Sequence, residues 1–363
     1  MKVKKRFFII IPLCLVIVII GSLLLNVTNK INKHHQNFDT VRLTPQQTAL
    51  ITQYVNDKQF IGTILVVKNG QPLFEHAYGY ANYQLRLPNH CQTRYPIASL
   101  QKAFTAALIM QQVKKHRLSL QDHLAKFYPQ IPDSDQITIQ QMLDMTSGLY
   151  NVAKFNHHLH SDQAAINFYV NHVRVKAIGK WNYQAVNYHL LAGILTQITH
   201  QSYRQLVDDN IIKPLHLQQT TFMFDKVMLM RSYTSKNTKQ LYAQPIKPAK
   251  YLVYSELGTG NMMSSVNDLY TFENALITGQ LLGENTTQQL YNTQRLTYTG
   301  GLYPHRRDQQ RYYTSYGLLQ GYWGGVVISQ NGQDAVIALS NRYNNWMGVK
   351  KLYQQLFLTN TMK

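Results

Sequence analysis

Apolar and polar positions divide this chain into strand-like ends and a helical middle. An apolar run over 61–67 breaks at Asn69-Gly70 and resumes toward Tyr78; a second run over 323–329 breaks at Asn331-Gly332 and resumes over 335–339. Asn-Gly supplies the left-handed backbone that a two-residue hairpin needs, so each stretch predicts a pair of antiparallel strands. Between the two stretches apolar residues recur at helical period, over 99–114, 139–146, 185–200 and 266–278. Residues 45–57 before the first hairpin and 346–358 after the second also read as helices. Strands at both ends with helices between predict an α+β fold, its antiparallel sheet built from both chain ends and flanked by helices, with an all-helical subdomain inserted. There is no internal repeat and no low-complexity tract.

The first residues have a different pattern. Lys2, Lys4, Lys5 and Arg6 precede an uncharged, mostly apolar stretch over 7–27. About twenty such residues are enough to cross a bilayer. The positive flank keeps the N-terminus cytoplasmic and places the rest outside. A cleaved signal peptide is the rival reading, but no small-x-small site closes the apolar run. Cys14 follows Pro12-Leu13 without the small residues of a lipoprotein signal. The expected organisation is an anchor over 1–27, a polar linker over 28–43 and one domain over 44–358. Its sheet-bearing part covers about 44–105 and 295–358, and its helical part about 106–294.

Composition fits an exported, anchored protein. Cys91 is the one cysteine outside the apolar stretch, so core packing rather than an internal disulfide must hold the fold. The formal charge of +19 favours anionic partners. No nucleic-acid motif accompanies it. Outside a membrane the anions are lipid headgroups and wall polymers; a generally basic, solubilising surface explains the charge equally well.

Candidate chemistry begins at Ser99-Leu100-Gln101-Lys102. Tyr95-Pro96-Ile97-Ala98 leads into the apolar helix, so Ser99 falls at or near a helix start. Three residues are close to one turn, which puts Lys102 on the same face. A lysine so placed can take the serine proton, and a helix start favours the negative charge of the attack. Alone, the tetrapeptide reads better as a capping serine beside a solvated lysine.

Its surroundings settle that choice. Residues 61–70, Ala77-Tyr78-Gly79-Tyr80-Ala81-Asn82, Leu118-Ser119-Leu120-Gln121-Asp122, Thr146-Ser147-Gly148-Leu149, residues 182–195, Ile211-Ile212-Lys213-Pro214-Leu215 and 258–265 with Asp268-Leu269 resemble, in order, the serine β-lactamase and penicillin-binding protein superfamily in its class C-like branch. The resemblance runs from about 44 to 358 and implies a β-lactamase/transpeptidase-like fold with its site in the cleft between sheet and helices. It implies Ser99 as nucleophile with Lys102 as proton acceptor, and needs no cofactor and no metal.

The resemblance also points to Tyr183. Relatives carry Tyr-x-Asn before a helix of the form Asn-Tyr-x-Leu-Leu; here Tyr183-Gln184-Ala185 keeps the tyrosine and loses the asparagine. Tyr183 is then a proton relay between Ser99 and the leaving group. The third motif, a basic residue followed by a glycine on the strand lining the cleft, matches Ser315-Tyr316-Gly317-Leu318, with Ser315 where the cation would stand. Gly317 lets substrate approach, and the Leu318 N–H completes an oxyanion hole with that of Ser99. His305, Arg306, Arg307 and Arg311 lie near and read as a solvated basic loop. His157-His158-Leu159-His160-Ser161-Asp162 has a metallo-hydrolase look, but Gln163 stands where a further histidine would be needed, and a polar loop is the better reading.

The lost cation bears on substrate. Penicillins and D-Ala-D-Ala peptides carry a carboxylate near the scissile bond, and without a cation they forgo a bond of about 1.5–3 kcal/mol. A D-alanyl ester on a polyol has no such carboxylate, and some relatives act on D-alanyl esters of teichoic acids. The expectation is a membrane-anchored extracytoplasmic serine hydrolase acting on such esters. The alternatives are a D,D-carboxypeptidase on peptidoglycan stem peptides and a catalytically weak envelope-binding protein of the same fold.

Overall fold

The computed structural model describes residues 43–358 apart from 156–157, 224, 226–227, 235–239, 292–296 and 343–347. The expected anchor and most of the linker lie outside the described residues, as do His157 of the histidine-rich motif and Trp346 at the expected start of the last helix.

Helix α1 (Pro45–Lys58) starts where the sequence caps it. Thr44 and Gln47 form a reciprocal capping box, and Pro45 occupies the first turn. Strands β1 (Gly62–Lys68) and β2 (Gln71–Tyr78) follow, joined by Asn69 and Gly70 at φ 51° and 75°. The chain then runs through helices α2 (Lys102–Lys114), α3 (Asp162–His172), α4 (Val186–Thr199) and α5 (Val266–Ile277). It returns as β3 (Tyr303–Arg307), β4 (Gln310–Leu319), β5 (Tyr322–Ser329) and β6 (Ala335–Ser340), and closes with α6 (Gly348–Phe357).

The six strands form one antiparallel sheet in the order β3-β4-β5-β6-β1-β2. The two chain ends meet where β1 pairs β6, with Leu65 opposite Ile337. Alternate residues serve two cores. Leu65, Val67, Val326 and Ile337 face the helical part, while Ile64, Val66, Val327 and Val336 face α1 and α6. Burial on both faces explains why β1 reads as a continuous apolar run rather than an alternating one.

α2 is apolar on nearly every side and buried accordingly, as is the first part of α4, on which it packs. The middle of the chain is mainly helical but carries short strand pairs that the sequence did not announce. Leu149–Asn151 pairs Val173–Val175, Ser232–Thr234 pairs Gln244–Ile246, and Met262–Ser264 lies between Tyr95–Pro96 and Thr221–Phe222. Two or three residues are too few to show a period of two. The last set matters most, because Tyr95–Pro96 leads directly to Ser99.

Candidate active site

Ser99 sits on a 3₁₀ turn, Ala98–Gln101, that runs into α2 at Lys102. Ala98 holds a left-handed φ of 47°, which for a residue with a Cβ costs about 1–3 kcal/mol. Packing fixes that conformation. The Ile97 N–H donates to the Met262 carbonyl at 3.0 Å. The Gln101 side chain accepts from the Met262 N–H at 2.9 Å and donates to Asn261 Oδ1 at 2.7 Å. From the other side β4 presses in at Gly317, where a Cβ would stand 2.3 Å from the Ile97 carbonyl oxygen and 3.1 Å from Ala98 Cβ. Only glycine lets the strand come this close.

Lys102 Nζ donates to Ser99 Oγ at 2.9 Å, and the lysine is 1% exposed. The Tyr183 ring covers it, with Nζ 5.2 Å from the ring centroid. Two further ionisable groups lie behind. Burial holds the Glu256 carboxyl above its ordinary range, against the opposing pull of Lys102 and of the Thr259 hydroxyl, which donates to Oε2 at 2.8 Å. Burial also pushes His189 down to about 3, so its ring is neutral; Nδ1 lies 2.8 Å from the Leu257 carbonyl and the ring stacks on Tyr169. His189 therefore adds no second positive charge beside Lys102.

Ser99 opens into a cavity of about 580 Å³. Tyr183, Tyr303 and Tyr316 wall it, with Gly317 and Leu318 along one side and Thr314, His305 and Lys350 at another. Tyr298 links the tyrosines behind the wall, its ring edge-on to Tyr183 at 5.6 Å and to Tyr303 at 4.8 Å. Leu318 is about half exposed at the mouth.

The structure thus brings Ser99, Lys102, Tyr183, Tyr316, Gly317 and Leu318 together. Ser315 is the exception and corrects the sequence expectation. It is 2% exposed and its hydroxyl donates to the Gly301 carbonyl at 3.0 Å, so its side chain does not line the cavity. Alternation along β4 sends Thr314, Tyr316 and Leu318 to one face and Ser315 to the other, where the loop at Gly301 seals it. His305, read as part of a solvated loop, instead lines the cavity, whereas Arg307 and Arg311 on the same hairpin are exposed. Sequence reasoning missed Lys350, Tyr303, Thr314 and Glu256. Only pairing and packing carry them to the site, and none lies in a recognisable motif.

Asp162, the last residue of the histidine-rich motif, begins α3 behind Ser161, whose Oγ accepts the Ala164 N–H at 3.1 Å. Among the described residues no group of three or more His, Cys, Asp or Glu is placed to hold a metal.

Residues 48–359, which carry this nucleophile turn, buried lysine and glycine strand edge, match the family model Beta-lactamase. The chain belongs to the beta-lactamase family. Among its relatives is PbpX of Bacillus subtilis (strain 168), described as a penicillin-binding protein, 26% identical over 303 residues that cover 83% of this chain and 76% of that one. The teichoic acid D-alanine hydrolase of Staphylococcus aureus is 26% identical over 329 residues, covering 85% and 78%. The crystal structure of FmtA from Staphylococcus aureus superposes with a TM-score of 0.74 at 22% identity, covering 86% of this chain and 89% of that one. That likeness is one of fold.

Proposed function

We propose that this beta-lactamase family member is a serine hydrolase that removes D-alanyl groups from esters on a polyol-phosphate polymer of the cell envelope, of the teichoic acid class. The observation that carries the reading is the Lys102–Ser99 contact opening into a tyrosine-walled cavity along which Ser315-Tyr316-Gly317 supplies no cation. Lys102, as the free amine, takes the Ser99 proton while Oγ attacks the ester carbonyl. The oxyanion is held by the backbone N–H groups of Ser99 and Leu318. Tyr183 passes a proton to the departing polyol oxygen, leaving D-alanyl-Ser99, and water then releases D-alanine by the reverse route.

The alanyl group carries an ammonium, and the faces of Tyr183, Tyr303 and Tyr316 suit it through cation–π attraction. The relative named teichoic acid D-alanine hydrolase supports the same substrate class. The apolar stretch over 7–27 anchors the chain, with the domain from residue 44 outside the membrane.

A D,D-carboxypeptidase is the second reading, favoured by the relative PbpX. The departure at Ala185 and the turned-away Ser315 favour a third, a weakly catalytic binder of the envelope. Incubating full-length protein with D-alanylated teichoic acid and with a D-Ala-D-Ala peptide separates the three. Release of D-alanine from the polymer, faster than from the peptide, is expected. Fast cleavage of the peptide alone would establish the carboxypeptidase, and polymer binding without release would establish the binder.

A further inference from the structure

The end of the cavity away from Ser99 holds a cation that the proposed ester chemistry leaves unused. Lys350 Nζ donates to Nδ1 of His305 at 3.2 Å, and His305 Nε2 lies 2.9 Å from Thr314 Oγ1. A ring that accepts at Nδ1 carries its proton on Nε2 and donates it to Thr314. Burial, with the charge of Lys350, pushes His305 down to about 4, which agrees with a neutral ring. Lys350 spends one of its three N–H donors this way.

Its surroundings do not favour the charge. Lys350 is partly buried against the ring of Tyr312, 6.0 Å from its centroid. It stands in the first turn of α6, where the helix dipole is positive and no acidic side chain offsets it. Among the described residues no carboxylate lies within ion-pairing distance. An ammonium that lines a cavity, with His305 its one hydrogen-bond partner among the described residues, is matched to an incoming anion.

We infer that Lys350, backed by His305 and Thr314, is a specificity-determining subsite for a phosphodiester of the polymer whose ester lies at Ser99. The inference rests on the function proposed above and names how that substrate is recognised. Spacing selects the anion. Gly317 packs on the nucleophile turn and Thr314 is three residues along β4, or about 10 Å. A carboxylate attached next to a scissile peptide bond stays beside Ser99 and does not reach that far. A polymer with a charge in every repeat places a neighbouring phosphate there without moving the ester. The mode adds a charge-assisted contact that a small uncharged ester cannot make.

Two measurements test this. In the full chain carrying Ser99→Ala, Lys350→Gln should weaken binding of alanine-free polyglycerol phosphate by about 10- to 100-fold in calorimetry, and Lys350→Arg should restore most of it. In the active chain, Lys350→Gln should raise KM for D-alanylated polymer tenfold or more with kcat nearly kept, against threefold or less for D-alanine methyl ester. Unaltered polymer binding, or equal losses on both substrates, would overturn the subsite. Thr314→Val, which removes the hydroxyl behind His305, should shift the same two quantities in the same direction by a smaller factor, and serves if Lys350→Gln lowers the melting temperature sharply. The binding arm needs no turnover. Polymer binding through Lys350 without D-alanine release would reject the reaction and keep the subsite, whereas D-alanine release insensitive to Lys350 would do the reverse.

Discussion

At the scale of single residues, the proposed chemistry stands on one short contact, Lys102 to Ser99. Ser99→Ala should abolish hydrolysis of small activated esters while the melting temperature holds, and Lys102→Ala should be nearly as damaging, each by about 10³-fold or more. The double variant should be little worse than either, because groups acting as one unit fail together. Wild-type turnover by folded Ser99→Ala would remove the mechanism. These two residues were legible because helical spacing ties them to one face of one turn. Ser315 was not, because a motif match gives position along a strand but not which face the side chain takes. The meeting of Lys350 with His305 was invisible for a different reason: it happens only when α6 and β3 pack beside β4. Glu273 was equally hidden. It is fully buried in α5 with neither carboxylate oxygen hydrogen-bonded, and burial pushes it up to about 8 from its ordinary 4.5.

At the scale of elements, the nucleophile turn is held between the Met262–Ser264 strand and β4. Gly317→Val should therefore disturb the site more than the fold. Its side chain would displace Ile97 and Ala98, and with them Ser99, by a few tenths of an ångström to an ångström. We expect esterase activity to fall about 10²-fold or more, as misplacement of that order does, while the sheet survives with a lowered melting temperature. Activity kept in Gly317→Val would mean that β4 does not line the reactive centre. The two Asn-Gly hairpins and helices α1, α2, α4, α5 and α6 followed from sequence pattern alone, whereas α3 and the β3–β4 hairpin, read as a basic loop, did not. Asn69-Gly70 closes β1 to β2 as its dihedral preference dictates, and α1 begins at the capping box of Thr44 and Gln47. The strand pairs of two or three residues did not follow, since each is stabilised by a distant partner rather than by local propensity.

At the scale of the molecule, two bulk properties are open to measurement. The first is the pH dependence of stability. The folded state keeps a proton on Glu273 up to about pH 8, while the unfolded state gives it up above about 4.5. Between those values the folded state binds more protons, so this group's contribution to stability falls as pH rises from about 4.5 to 8 and levels off beyond. Glu273→Gln should flatten that slope and raise the melting temperature at pH 8 relative to wild type. An unchanged slope in denaturant titrations at pH 5, 6.5 and 8 would show that another group sets it. The second is capture of polymer by net charge. D-alanine release from teichoic acid should weaken as salt rises, while hydrolysis of D-alanine methyl ester should change little, because a charge of +19 attracts a polyanion over a screened distance. Equal salt dependence on both substrates would place the effect at the reactive centre instead. The anchor proposed over 7–27 should keep the full-length protein with membranes through a high-salt wash, which releases electrostatic binders; release into the wash would reject the anchor.

Sequence by itself determined the α+β class, the hairpin at each end, the buried helices and the pairing of Ser99 with Lys102, because each is a local matter of period, turn chemistry or one helical turn. Tertiary structure alone decided that β1 pairs β6, that Ser315 faces inward, that Gly317 presses on Ile97, and that His305 and Lys350 share the cavity with Ser99. Those contacts join residues tens to hundreds of positions apart. They exist because apolar burial on both faces of the sheet folds the two chain ends onto one another, and no local preference along the chain encodes which side chains that closure brings within reach.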